Sequence, residues 1–144
     1  MIMWWSIPPL GFVKLNIDGY SLVYPSECFC GGIVCDSRGG LLSGFMAYYG
    51  SSTNTMVATK ALLDGLRICI LLQQTSIMVE TNSQQLANWW NGEGDVHWYL
   101  QEVWKIIAYS GKDLNLVVRD AYREINQVVD FLVKKGVKRH TSEF

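Results

Sequence analysis

The chain has 144 residues, the length of one domain that can bury a substantial hydrophobic core. Hydrophobic residues make up 49% and charged residues 17% of it, which excludes a disordered chain, and a net charge of −1 excludes attraction of nucleic acid by bulk charge alone. No apolar run is long enough to span a bilayer, and residues 1–10 lack the basic segment of a secretory signal. We therefore expect a soluble intracellular protein, nuclear or cytoplasmic, that is neither secreted nor held in a membrane.

Residues 1–144 are expected to form a single domain with an opening segment at 1–10 and a basic tail at 136–144. The spacing of the four cysteines fits neither a disulfide framework nor a metal site, and we expect small buried residues in a reducing compartment. These cysteines are Cys28, Cys30, Cys35 and Cys69.

The first part of the chain predicts a three-stranded antiparallel meander. Residues 13–18 alternate apolar and polar side chains, which indicates a half-buried strand that ends at Asp18. A second strand is predicted over 28–35 and a return strand over 41–49, because residues 36–40 supply turn chemistry between them.

A helical period follows, over about residues 54–73. Its apolar residues recur on one face, and they are Ala58, Ala61, Leu62, Leu66 and Cys69. A strand over 76–80 comes next, and a crossover through a helix implies that it pairs in parallel.

The remaining elements complete the fold class. Ser83 is predicted to cap a short helix that reaches Trp90, a further helix covers 96–109, a fifth strand covers 114–118 and a closing helix covers about 123–135. This order predicts an α/β fold with one five-stranded mixed sheet, three antiparallel strands followed by two parallel ones, flanked by helices.

Five motifs occur in order along almost the whole chain. They are Pro8-Pro9-x-Gly11-x-x-Lys14-Leu15-Asn16-Ile17-Asp18-Gly19, Gly31-Gly32-Ile33-Val34-x-Asp36-Ser37-x-Gly39, Thr53-Asn54-x-Met56 with Ala61-Leu62-Leu63-x-Gly65-Leu66, Val79-Glu80-Thr81-Asn82-Ser83-Gln84, and Arg123-Glu124-x-Asn126-x-x-x-Asp130. With these motifs the chain resembles type 1 ribonuclease H, and in particular the plant, retrotransposon-derived domains called reverse-transcriptase-like. The resemblance implies the ribonuclease H-like fold and a role with RNA–DNA hybrids.

The resemblance also implies a two-metal magnesium site, with four acids at positions 18, 58, 82 and 130 and a catalytic histidine at position 120. Asp18 and Asp130 retain the acids, whereas Ala58, Asn82 and Asp120 replace a glutamate, an aspartate and the histidine. Two Mg²⁺ ions require anionic oxygen ligands, because the attacking water and the leaving oxygen both need charge neutralisation. Since Ala58 offers no ligand and Asn82 no charge, we expect Mg²⁺ to bind weakly, through Asp18, Asp130 and Asn82, and hydrolysis to be impaired.

The sequence is consistent with three functions. The first is a pseudoenzyme that binds nucleic acid (an RNA–DNA hybrid or RNA) or an unidentified protein, with lost or weak nuclease activity. The second is an active hybrid ribonuclease with a rearranged site built from Asp18, Glu80, Asp120 and Asp130. The third is a protein-interaction module without a nucleic-acid role, anchored by exposed aromatic residues.

Candidate contacts follow for the first and third functions. Asn54, Lys134 and Lys135 are the candidate nucleic-acid contacts, although Asn54 serves equally well as a helix cap. The two lysines belong to a basic group that predicts either a phosphate-binding face or a solvated helix end, and that group is Arg119, Arg123, Lys134, Lys135, Lys138 and Arg139. Among the tryptophans, Trp98 and Trp104 are predicted in the core, and one of Trp89 and Trp90 is predicted to be exposed.

Overall fold

A computed structural model describes residues 8–21, 27–51 and 54–120 of the chain. Within them lie, in order, β1 (Val13–Ser21), β2 (Glu27–Cys35), β3 (Leu41–Ser51), α1 (Asn54–Leu71), β4 (Ser76–Thr81), α2 (Gln84–Trp90), α3 (Gln101–Gly111) and β5 (Asn115–Asp120). A 3₁₀ turn at Trp98–Leu100 leads into α3. The predicted closing helix over 123–135 lies outside the described residues. None of the described helices is long and apolar enough to cross a membrane.

The five strands form one sheet in the order β3-β2-β1-β4-β5. β1 pairs antiparallel with β2, and β2 pairs antiparallel with β3, whereas β4 is parallel to both β1 and β5. The predicted mixed sheet is therefore confirmed. Ile17 of β1 lies beside Thr81, and Thr81 lies beside Asp120. Hence β4 and β5 end at the same level, one residue before the level of Asp18.

Helix α1 packs against one face of the sheet. The five apolar residues predicted on one face of this helix are all buried, as the period required. The helix lies close to β1 at Gly65, where a Cβ atom would lie 2.6 Å from Cδ2 of Leu15. Leu15, Ile17 and Val79 fill the sheet side of this core.

The other face of β1 is also buried, which corrects the prediction of a half-buried strand. Lys14 and Asn16 were expected to meet solvent, but each is only 1% exposed. The prediction is wrong because β1 is the central strand of the sheet and has a parallel neighbour, and such strands lose solvent on both faces.

The aromatic residues of the second half differ in part from expectation. Ser83 caps α2 as predicted, since its hydroxyl accepts a hydrogen bond from the Leu86 amide at 3.3 Å. Trp89 is buried and Trp90 half-buried, with Nε1 of Trp90 donating to the Leu116 carbonyl at 3.2 Å, so neither is the exposed residue that was predicted. Trp98 is 83% exposed, which contradicts its predicted core position because it lies in the 3₁₀ turn, outside the helical period of α3.

Two further predictions agree with the structure. Trp104 packs against the core and meets the Trp89 ring edge-on at 5.6 Å. Cys35 and Cys69 are buried and form no disulfide. The side chains of Cys28 and Cys30 lie outside the described parts of the chain.

Candidate functional site

Three of the five predicted catalytic positions lie at the edge of the sheet where β4 and β5 end. Asp18 follows Ile17 in β1 and pairs with Gly31 of β2. Asn82 is the first residue after β4 and is exposed. Asp120 is the last residue of β5 and is also exposed. The fold therefore brings three of the five predicted catalytic positions to one edge at the level of the backbone.

Ala58 lies in the second turn of α1 and contributes no polar atom to this edge. It is 8% exposed and belongs to the hydrophobic core. The neighbouring Thr59 does not compensate, because its hydroxyl donates to the Thr55 carbonyl of the same helix at 2.7 Å. The start of α1 thus supplies no oxygen ligand from these positions.

Asp120 and Glu80 face opposite sides of the sheet. Side chains alternate along a strand, so Asp120 lies on the same face of the sheet as the buried core residue Val118. Arg119, between them, lies on the opposite face. Glu80 hydrogen-bonds Arg119 and therefore lies on that other face. The geometry does not bring the carboxylates of Asp120 and Glu80 together.

Glu80 is the centre of a charged cluster that we define as Lys14, Glu80 and Arg119. Its Oε1 atom forms an ion pair with the Lys14 ammonium, and its Oε2 atom lies 3.0 Å from both Nε and Nη2 of Arg119. The Lys14 side chain is fully buried and that of Glu80 is 4% exposed, whereas the Arg119 side chain is 46% exposed. Sequence reasoning missed this cluster, and the available signal was a lysine and a glutamate in two predicted strands, the second of which was expected to pair in parallel.

The cluster contains one more cation than anion. Burial, and secondly the Arg119 guanidinium, lower the pKa of Lys14 from 10.5 to about 8. At neutral pH the ammonium form still predominates, and arginine stays protonated at any physiological pH. The three side chains together therefore carry a net positive charge, and its exposed part is Arg119.

The described residues do not provide the donors of a two-metal centre. Among them, no three His, Cys, Asp or Glu side chains lie close enough to hold a metal ion together. Asn16 has an amide oxygen without a hydrogen-bond partner in the described part of the chain, but this oxygen and that of Asn82 are neutral. Mg²⁺ prefers anionic oxygens, and both oxygens of Glu80 are already engaged by Lys14 and Arg119. Asp130 lies outside the described residues.

Of the predicted nucleic-acid contacts, only Asn54 falls in the described part of the chain, as the first residue of α1. Lys134 and Lys135 lie outside it. A depression beside α2 is lined in part by amide side chains, but it carries the acids Glu93 and Asp95, which repel phosphate.

Exposed aromatic rings form a second surface, on the side of α3. Trp98 meets Tyr99 edge-on at 5.7 Å, and His97 stacks on Tyr99 at 5.5 Å. Further along α3, Tyr109 is exposed and lies under the Lys112 ammonium at 4.1 Å. Solvent-facing rings of this kind can stack on a base or anchor a protein interface.

Comparison with known proteins gives the following relationships. Residues 16–136 match the family model described as reverse transcriptase-like. No curated protein sequence matches the chain significantly.

Three solved structures illustrate the similarity of fold. RNase H1 of the halophilic archaeon Halobacterium salinarum NRC-1 is 19% identical with a TM-score of 0.80, covering 88% of this chain and 98% of that one. LC11-RNase H1, isolated from compost and solved in complex with RNA/DNA hybrid, is 24% identical with a TM-score of 0.82, covering 90% and 99%. The RNase H domain of prototype foamy virus is 17% identical with a TM-score of 0.69, covering 86% and 93%. These similarities establish a ribonuclease H-like fold.

Proposed function

The chain belongs to the reverse transcriptase-like family, and from this premise we propose that it is a ribonuclease H-like domain that binds nucleic acid, as RNA–DNA hybrid or RNA, with lost or weak nuclease activity. A related fold, that of LC11-RNase H1, is known in complex with RNA/DNA hybrid. The retrotransposon ancestry and plant origin that the resemblance implies remain predictions.

The observation that carries the proposal is the position of Ala58. The resemblance implies a glutamate there, and the alanine methyl group is instead part of the hydrophobic core. A metal ligand cannot be recovered by a change of rotamer at this position, because alanine has no further side-chain atoms. Together with the neutral amide at Asn82, this leaves the edge short of two negative charges. Mg²⁺ binding is expected to be weak for the same reason.

The alternative of an active enzyme with a rearranged site has less support. That arrangement needs the carboxylates of Glu80 and Asp120 to converge on the metal ions. Glu80 is bound on both oxygens by cations, and Asp120 belongs to the opposite face of β5. Recruitment of Glu80 would require it to give up its buried ion pair with Lys14, which is costly.

The test is a cleavage assay on an RNA–DNA hybrid with and without Mg²⁺. We expect no metal-dependent cleavage by the wild-type chain and measurable cleavage by the double variant Ala58→Glu/Asn82→Asp, with circular dichroism to confirm that both are folded. Metal-dependent cleavage by the wild type that is lost on Asp18→Asn would overturn the proposal and favour the rearranged enzyme.

A protein-interaction role is the second candidate, and the exposed Trp98 is the observation in its favour. The two roles differ in what Trp98→Ala changes. If the chain is a protein-interaction module, this variant loses its partner, and the wild type shows no affinity for hybrid or RNA. If the chain binds nucleic acid through the sheet edge, Trp98→Ala leaves hybrid affinity unchanged.

A further inference from the structure

Arg119 is held in a fixed orientation by a buried carboxylate. Its Nε and Nη2 atoms both lie 3.0 Å from Oε2 of Glu80, and the other oxygen of Glu80 pairs with Lys14. Glu80 cannot turn away from Arg119 without also breaking the buried ion pair with Lys14. The guanidinium is thus positioned before a ligand arrives. Arg119 therefore loses less side-chain conformational entropy when a ligand binds.

The exposed part of Arg119 remains able to bind an anion. An arginine has five N–H donors, and the contacts with Glu80 engage the Nε and Nη2 side of the fork. The side chain is 46% exposed, so part of it is open to solvent. A guanidinium with open donors matches the oxygens of a phosphate group, and such charge-assisted hydrogen bonds are strong.

The position of Arg119 agrees with this role. It lies one residue before the end of β5, at the level of Glu80 and two residues before the level of Asn82. The neighbouring acid, Asp120, belongs to the opposite face of the strand and does not neutralise Arg119 across it. At this edge the chain has Ala58 and Asn82 where the resemblance implies anionic metal ligands, and Arg119 shares the single carboxylate of Glu80 with Lys14.

We propose that Arg119 is a phosphate-binding residue that holds the nucleic-acid backbone at the edge of β4 and β5 without a metal ion. This inference rests on the proposed nucleic-acid binding and specifies its chemistry. With fewer carboxylates at the edge, a phosphate meets less repulsion and needs no metal ion between it and the protein. Glu80 and Lys14 act as positioning residues, because they fix the guanidinium and do not themselves reach the phosphate.

The test measures the affinity of the whole chain for a short labelled RNA–DNA hybrid in EDTA, over a series of KCl concentrations. Each phosphate that a cation neutralises adds about 0.9 to the slope of log K against log salt. We expect the wild type to bind in EDTA and Arg119→Ala to bind several-fold more weakly, with a slope smaller by about that amount. A purely structural role for Arg119 lowers the folded fraction but leaves the slope of the folded protein unchanged.

Two further variants complete the experiment. Arg67→Ala removes an exposed cation from α1, on the opposite face of the sheet, and is expected to retain the wild-type slope. Arg119→Lys keeps the charge and is expected to retain the slope while affinity falls, because an ammonium lacks the planar fork. Arg119→Gln, which retains an amide donor for Glu80, replaces the alanine variant if circular dichroism shows that the latter is unfolded.

The outcomes separate the two proposals. If the wild type binds neither hybrid nor RNA, the proposed function and this inference both fail. If the wild type binds but needs Mg²⁺, or if the neutral Arg119 variants keep the wild-type slope, only the inference is overturned. A reduced slope for these variants, with Arg67→Ala unchanged, supports it.

Discussion

Lys14 and Glu80 form an ion pair in the interior of the sheet, although their strands are separated in the chain by a hairpin and a helix. The parallel register of β1 and β4 brings them together, since Asn16 lies beside Glu80 and Lys14 is two residues earlier on the same face. Both side chains are almost completely removed from solvent. A buried pair of this kind depends on both partners, because removal of either one leaves an interior charge that has lost a close counter-ion.

Removal of Lys14 is therefore expected to destabilise the fold strongly. Lys14→Met should lower the free energy of unfolding by about 3–5 kcal/mol, because Glu80 then retains only the half-exposed Arg119. Urea unfolding measures the change. The matched control is Lys105→Met on α3, whose ion pair with Glu102 is solvent-exposed and is worth less than about 1 kcal/mol. The double variant Lys14→Met/Glu80→Met should recover most of the loss, and a fully additive result would show that the pair is not coupled.

Because the thiol of Cys69 is buried, we expect the stability of the protein to decline at alkaline pH. Burial raises its pKa from 9.0 to about 12. The unfolded chain then loses the thiol proton at a lower pH than the folded chain, so the contribution of Cys69 is complete below pH 9 and is lost as the pH rises towards 12. We expect the stability difference between wild type and Cys69→Ala to fall by up to about 1.4 kcal/mol per pH unit above this threshold. Urea unfolding of both proteins from about pH 8 to about pH 10.5 tests it, and a constant difference would contradict the burial.

Gly65 sets the distance between α1 and β1. A Cβ atom at this position would lie 2.6 Å from Cδ2 and 2.9 Å from Cδ1 of Leu15. Gly65→Ala should therefore destabilise the protein by about 1–3 kcal/mol, despite the better helix propensity of alanine. Thermal unfolding measures the cost. In the background Leu15→Ala, which removes both contacting atoms, the same substitution should be neutral or stabilising; an equal cost in both backgrounds would place the strain elsewhere.

Two tryptophans on either side of the 91–97 loop should differ widely in how much stability is lost when they are replaced by alanine. Trp89→Ala removes a buried ring that packs on Trp104 and His97, and we expect a loss of about 3–5 kcal/mol. Trp98→Ala removes a ring that is mostly in solvent and should change the free energy of unfolding by less than about 0.5 kcal/mol. Chemical denaturation of the two variants measures this contrast, and a large loss for Trp98→Ala would show that its ring is packed in solution.

Within the described residues, the sequence was sufficient to predict the strands and helices and their order. The apolar spacing of α1 identified its buried face, and the helical crossover before β4 predicted that this strand pairs in parallel, as it does with β1. These features depend on short-range periodicity and on the handedness of the connection, and both are properties of contiguous residues. The edge where Asp18, Asn82 and Asp120 meet followed from the resemblance and from that pairing.

The burial and contacts of the interior polar residues could not be predicted from the sequence alone. Alternation in β1 predicted that Lys14 would meet solvent, because periodicity separates the two faces of a strand without indicating whether the second face is covered. Arg119 and Glu80 are 39 residues apart, and only the register of β4 and β5 reveals their contact. Trp98 was misplaced for a local reason, since a short 3₁₀ turn changes the direction of side chains before α3 begins.

The alternation of Arg119 and Asp120 has a consequence for how β5 finds its place in the sheet. A slip of β5 by one residue along β4 would put Asp120, instead of Arg119, beside Glu80 and would leave two carboxylates in contact at the sheet interior. Like charges at that position raise the energy of the slipped pairing, whereas the native pairing joins opposite charges. The arginine that we assign to phosphate binding therefore also favours the native register of the last described strand, while Asp120 penalises the neighbouring misalignment.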